Sequence, residues 1–464
     1  MSLKTDAVKV CLVSLGCPKN LVDSEVLLGA AAEDGILVAR DPEDADVAII
    51  NTCGFIDSAK EESIQTILEI AKLKTEGALK GLVVVGCLSQ RYGDELRRDL
   101  PEVDAVLGLS DYSKVPALIK HLAKGGDARF VMDTRGGKAK TKDSDRRRLL
   151  LTPKSYAYLR IGEGCDHSCS FCAIPLIRGK QRSKPIEVLV EEAEGLAAGG
   201  VRELILVAED STAYGMDWAD NKRMLAPLLE ALGQVPGIEW IRILYAYPHT
   251  VRKEITEQLR ENPKVVPYID IPIQHIASPM LRAMKRGVSS TQVRKILDRL
   301  RDEVPGIAIR TTFIVGFPGE TQEDFEELLR LTKDFRFERL GVFPFSREEG
   351  TSSFDLPGDV DPELVRERIQ AIMDASRRVI EERNASLIGS RMKILVDGAM
   401  EGDRLKGLGW KVGSLGRTFA DAPEIDCEVY LEDSLPSGMF IEGEIVGSRG
   451  YDLLARPVSS FSSP

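Results

Sequence analysis

From Val8 to Phe345 the chain switches repeatedly between short apolar runs and amphipathic stretches, and this restricts the fold more than any other feature. A strand buried on both faces reads as an unbroken run of Val, Ile and Leu, whereas a helix packed on a sheet repeats its apolar residues with a period of roughly 3.6. Val8–Ser14, Asp46–Asn51, Gly81–Gly86 and Ala105–Leu109 carry the first pattern, and Leu21–Glu33 and Ser58–Lys74 the second. Such alternation predicts an α/β domain over residues 7–134, a doubly wound parallel sheet with helices on both faces.

The pattern breaks at residues 135–148, where seven basic and two acidic side chains occur with no apolar residue larger than alanine. This composition reads as a basic linker, 135–149. Alternation then resumes over 150–384 with six strand candidates: Tyr156–Ile161, Leu204–Val207, Ile241–Tyr247, Tyr268–Ile273, Ile309–Val315 and Leu340–Phe345. Helical patterns near 186–198, 221–232, 251–260, 290–303 and 321–334 separate them, and Pro362–Asn384 closes the section. Six βα units predict a parallel barrel left open on one side. Beyond residue 386 glycine becomes frequent and strands short, as in Met392–Val396, Ile425–Tyr430 and Ile441–Ser448. That predicts a small all-β barrel over 386–457.

A chain of 464 residues exceeds what one core organises, in keeping with several domains. The formal net charge of −11 argues against broad attraction to nucleic acid and suits a basic partner. No apolar run approaches the roughly 20 residues needed to cross a bilayer, and the start lacks a secretory pattern, so no membrane association and a cytoplasmic location are expected. Thiols stay reduced there. The eight cysteines therefore matter by position. Cys11 and Cys427 lie inside apolar runs and are expected to pack as small hydrophobes.

The other six fall in two sets. Gly164-Cys165-Asp166-His167-Ser168-Cys169-Ser170-Phe171-Cys172 directly follows the first strand of the barrel section. Thiolates suit zinc or iron–sulfur clusters. Structural zinc takes four ligands, and no second Cys-x-x-Cys pair follows. Three thiolates on a cubane cluster would leave one iron free to chelate a substrate, with His167 a polar loop residue. Cys17, Cys53 and Cys87 are far apart in sequence, yet each follows a predicted parallel strand. Ligands of open parallel sheets gather outside the carboxyl ends of the strands, so these sulfurs should converge and hold a second cubane with one iron free for an exchangeable sulfur.

The cysteine loop resembles that of the radical S-adenosylmethionine superfamily. This implies that a 4Fe–4S cluster on Cys165, Cys169 and Cys172 binds S-adenosylmethionine and cleaves it to a 5′-deoxyadenosyl radical. It also implies cofactor contacts after successive strands: Phe171 in the loop, Glu209 and Asp210 in Ala208-Glu209-Asp210-Ser211, Gly316 in Val315-Gly316-Phe317-Pro318-Gly319, and Phe345 near the adenine. Both triplets with a small C-terminal barrel resemble the methylthiotransferase family over about residues 8–457. Its signatures here are Ser14-Leu15-Gly16-Cys17-Pro18-Lys19-Asn20, Asn51-Thr52-Cys53 and Gly86-Cys87. The resemblance implies replacement of C–H by C–S–CH3 with two 4Fe–4S clusters, the second on Cys17, Cys53 and Cys87. Two S-adenosylmethionine molecules, an external electron donor, a sulfur donor and a TRAM-like barrel are implied as well.

One branch of the family acts on tRNA adenosine. The other, RimO, acts on the β-carbon of an aspartate in the twelfth small-subunit ribosomal protein, free or in the subunit. Cys17-Pro18-Lys19-Asn20-Leu21-Val22-Asp23-Ser24-Glu25, Glu163-Gly164-Cys165-Asp166-His167 and Asp270-Ile271-Pro272-Ile273-Gln274-His275 resemble the second branch, although Glu209 stands where it would have Gln. Residues 386–464 hold eight Lys and Arg against twelve Asp and Glu, a balance expected to suit a basic protein loop better than RNA. Asp23, Glu25 and His275 are expected to be structural.

Overall fold

The computed structural model describes residues 7–109, 112–126, 130–132, 145–400 and 410–460. Residues 135–144 of the basic linker lie outside them. The first sheet comprises β1 (Lys9–Ser14), β2 (Leu37–Val38), β3 (Val47–Thr52), β4 (Gly81–Gly86), β5 (Ala105–Leu107) and β6 (Phe130–Met132), in the order β2-β1-β3-β4-β5-β6. Every pairing is parallel. Successive side chains of a strand face opposite ways, and the core divides accordingly. Val10, Val47, Ile49, Val83 and Val85 meet α1 (Pro18–Glu33) and α4 (Val115–Ala123). Ala48, Ile50, Leu82 and Val84 meet α2 (Asp57–Thr75) and α3 (Cys87–Asp99). Burial on both faces explains why β3 and β4 read as unbroken apolar runs. Cys11 packs in the second of these cores.

The second sheet runs from β7 (Tyr156–Arg160) through β10 (Glu203–Val207), β11 (Trp240–Ile243), β12 (Val265–Asp270) and β13 (Ala308–Val315) to β14 (Arg339–Pro344). All five pairings are parallel, and none joins β14 back to β7. The sheet is an open half-barrel. A two-stranded ribbon, β8 (Gly162–Glu163) with β9 (Arg182–Ser183), flanks the cysteine loop. The helices pack on one face of the sheet. On the other face Tyr156, Tyr158, Val207, Trp240 and Tyr268 meet Val22 of α1 and Leu395, Ala420, Ala422 and Phe440 of the C-terminal section. The end of the basic linker is docked rather than solvated. Asp145 is buried, bonded to Arg160 at 2.8 Å and Lys184 at 2.7 Å, while Arg148 pairs with Glu25 of α1.

The last five strands, β15 (Arg391–Ala399), β16 (Ser414–Arg417), β17 (Val429–Leu431), β18 (Phe440–Arg449) and β19 (Asp452–Ser460), close into a barrel around Ile394, Val396, Leu431 and Ile441. Three of its acidic side chains are spent inward. Arg417 bridges Asp397 and Glu203 at 2.7 Å each, Asp421 pairs with Arg339, and Asp426 accepts from Tyr268 at 2.7 Å. These carboxylates lock the barrel onto the half-barrel, so part of the acidic balance of residues 386–464 serves packing between the two sections.

Candidate functional site

Cys17 follows β1, Cys53 follows β3, and Cys87 opens α3 directly after β4. The strand order reverses between β1 and β3, the point where open α/β sheets bind ligands. Two glycines let the thiols approach. Gly16 has φ +88°, and a Cβ there would stand 2.8 Å from Cys53 Cβ. Gly86 has φ +101°, and its Cβ would stand 2.3 Å from Asn51 Oδ1. Asn20 then ties the strand ends together. Its amide donates to Leu15 O at 3.1 Å and Thr52 O at 3.0 Å, and its oxygen accepts from the Cys87 thiol at 3.4 Å. Burial, with Arg178 opposing it, pushes the Cys87 thiol up to about 12. Burial raises Cys53 too, and Cys17 adds to the rise of both. The three sulfurs lie close enough to feel one another.

The second triplet is local. Gly164 has φ +75°, and a Cβ there would meet Lys180 O at 2.2 Å. The loop is pinned where Cys165 N donates to Gly179 O at 3.0 Å, Ser170 N to Met284 O at 3.1 Å and Ser170 Oγ to Ala283 O at 2.8 Å. Burial pushes Cys165 and Cys172 up to about 12. Binding a metal centre would therefore release protons from these thiols. His167 is engaged elsewhere, with Nε2 2.7 Å from Asp210 and its ring stacked on Tyr247 at 3.7 Å.

All six cysteines line one cavity of about 350 Å³. Phe171 and Glu209 line it as well, whereas Asp210, Gly316 and Phe345 do not. Asp210 caps the turn 211–213 and holds His167. Gly316 occupies a turn at φ +79° where a Cβ would strike Val365, its amide donating to Glu320. Phe345 packs on Phe317 beside Phe171. Burial raises the Glu209 carboxyl above its ordinary range, with Lys19 and Arg178 opposing, and neither of its oxygens has a hydrogen-bond partner. Asp23 pairs with Arg178 across the domains, Glu25 pairs with Arg148 of the linker, and buried His275 bonds Glu320 at 3.1 Å.

Sequence patterns gave no sign of the two arginines in this cavity. Arg178, whose side chain is 2% exposed, donates to Asn20 at 2.7 Å and Asp23 at 2.9 Å and reaches Glu163 at 3.1 Å, with Cys87 Sγ and Glu209 each 3.6 Å away. Arg286 donates to Cys169 Sγ at 3.2 Å and Pro272 O at 2.6 Å, its guanidinium lying over Tyr247. Their one-dimensional signal is weak, since Arg is common in loops and only the fold brings these against sulfur.

The donor set fits iron–sulfur clusters. Each triplet consists of thiolates alone, and the nearby histidine is held by a carboxylate rather than offered as a fourth ligand. Among the described residues no three His, Cys, Asp or Glu side chains are drawn together tightly enough to grip a single ion. Thiolates around an inorganic core need not be, since each meets its own iron.

Matches to known proteins follow the same three-part division. Residues 9–108 match an uncharacterised family, UPF0004, residues 159–332 the radical SAM superfamily, and residues 388–458 the TRAM domain. In fold the chain is similar to the radical S-adenosylmethionine methyltransferase TsrM from Kitasatospora setae, with a TM-score of 0.53 at 14% identity over 86% of this chain and 79% of that one. Fold and site together define a radical-SAM-type enzyme carrying an extra thiolate-bearing sheet and a TRAM barrel. The particular family follows from closer relatives. Ribosomal protein uS12 methylthiotransferase RimO from Trichlorobacter lovleyi is 45% identical, covering 97% of this chain and 98% of that protein. The protein of the same name from Acetivibrio thermocellus is 43% identical over 98% and 99%. The chain belongs to the RimO family of methylthiotransferases.

Proposed function

We propose that this chain is a transferase that replaces a hydrogen on the β-carbon of an aspartate in ribosomal protein uS12 by a methylthio group. The observation that carries this reading is that both cysteine triplets line the same cavity. Family membership supports the substrate. Cys165, Cys169 and Cys172 would hold the 4Fe–4S cluster that binds S-adenosylmethionine, and Cys17, Cys53 and Cys87 a second one. When bound, these groups supply hydrogen abstraction and methylthio transfer, chemistry that no side chain here performs.

The protein's part is positioning and exclusion. Phe55, Phe171 and Tyr247 line the cavity and keep water from a reactive carbon. Glu209, whose two oxygens accept no hydrogen bond in the lining, suits the ammonium of the methionine moiety. Arg178 and Arg286 hold one cysteine of each triplet. The reaction also needs an external electron donor and a sulfur donor. Among the described residues no helix is long and apolar enough to cross a membrane, and a cytoplasmic site of action beside the ribosomal small subunit fits the substrate.

Anaerobically reconstituted protein, given reductant, S-adenosylmethionine and uS12, should add one methylthio group in place of one hydrogen on the aspartate-containing peptide, read by mass spectrometry. Unmodified uS12 alongside thiomethylated tRNA adenosine would overturn the substrate assignment.

A further inference from the structure

We infer that Lys19 is the cation that receives the side-chain carboxylate of the substrate aspartate. The inference rests on the function proposed above and names the group that would select its substrate.

The charged groups lining the cavity can be taken in turn. Arg178 is saturated by Asn20, Asp23 and Glu163. Arg286 is committed to Cys169, the Pro272 carbonyl and the Tyr247 ring. His167 is held by Asp210. Glu209 already faces Arg178 at 3.6 Å. Lys19 remains. It is 7% exposed, and among the described residues no carboxylate lies within ion-pair distance of its ammonium and no hydrogen bond ties it. Glu209 shares the cavity beyond ion-pair distance, and a buried ammonium whose N–H groups meet no acceptor is costly until an anion enters.

What holds Lys19 in place leaves its donors free. Its Nζ sits 3.7 Å from the centroid of the Tyr245 ring, an attraction that occupies none of its three N–H groups. Tyr245 is itself fixed at cost. Its backbone is left-handed, φ +59°, and its amide donates to Asp270 at 3.0 Å, with Asp270 pinned by Arg310 at 2.8 Å. Gln274, the other described non-glycine residue of positive φ in the lining, has φ +70° and a buried side-chain oxygen without a partner. Strained backbone persists where surrounding structure enforces it, and it gathers at ligand sites. Lys19 and the six cysteines line the same cavity, so a carboxylate held on Lys19 would enter the space that both triplets face.

The test measures binding of uS12 to reconstituted enzyme by calorimetry, comparing the natural protein with a form whose target aspartate is asparagine. Wild-type enzyme should prefer the aspartate form by about tenfold or more, the size of a charge-assisted pair. Lys19→Met should bring the ratio near one by weakening the aspartate form alone, and Lys19→Arg should restore part of it. A ratio in Lys19→Met as large as in wild type overturns the inference. So does equal weakening of both forms, which marks a lysine acting on the metal site or on folding. A wild-type enzyme that methylthiolates uS12 without preferring aspartate sinks the lysine assignment while the function stands; one that neither binds nor modifies uS12 sinks both.

Discussion

The two cysteine triplets share a cavity, yet the chain builds them in opposite ways. Cys165, Cys169 and Cys172 sit on one loop between the strands of a two-stranded ribbon, so their spacing is written locally. Cys17, Cys53 and Cys87 come from three separate strand ends and meet only because β1, β3 and β4 are neighbours in register. The local site therefore depends on loop geometry, and the distributed one on the whole first sheet. Arg178 links the two regions, since it follows the cysteine loop in sequence but reaches Cys87 and Asn20 of the first domain.

The largest expected effect separates the roles. Cys169→Ala should abolish S-adenosylmethionine cleavage, measured as 5′-deoxyadenosine, whereas Cys53→Ala should lose methylthio transfer and keep some cleavage. Equal loss of both activities in Cys53→Ala would merge the sites into one function. Next comes the shared residue. Arg178→Ala leaves Asp23 and Glu163 with Arg160 as their buried partner, so the loss should stay below the roughly 3–5 kcal/mol of a fully orphaned buried charge, and iron retention at both triplets should weaken. Loss confined to one would show that the arginine serves a single site.

Smaller effects sharpen the contrast between local and distributed construction. Gly86→Ala forces a side chain against Asn51 and Thr52 at φ +101°. It should cost about 1–3 kcal/mol and leave about four irons per chain instead of about eight, with cleavage retained. Gly164→Ala should do the reverse, retaining iron at the first sheet and losing cleavage. The smallest effect is at the edge. Lys80 is over half exposed and pairs with Asp46 at 2.7 Å, so Lys80→Ala should change unfolding free energy by less than about 1 kcal/mol and leave iron content unaltered.

Much of this architecture was legible because its signals are local. The six strands of the half-barrel, the helix 186–198 and the cysteine loop each declare themselves within a few residues through period, glycine or spacing. The short β2 strand and the helices α3 and α4 were not foreseen. Two residues carry too little pattern for β2, and α3 is kinked at Tyr92. Asp210, Gly316 and Phe345 were expected at the cofactor by resemblance; none lines the cavity, since Asp210 holds His167, Gly316 forms a turn and Phe345 packs on Phe317, arrangements that no local pattern encodes.

By itself the sequence determined that alternating strands and helices must stack as parallel sheets, and that six of its cysteines fall at strand ends or in one loop. Only the tertiary structure decided that Arg178 and Arg286 would lie against sulfur, and that Lys19 would line the cavity with no ion-pair partner among the described residues. It also turned Asp397, Asp421 and Asp426 of the last barrel toward the half-barrel contact. Periodicity is a property of neighbours along the chain, whereas the pairing of buried charges depends on which distant elements exclude water from the same space.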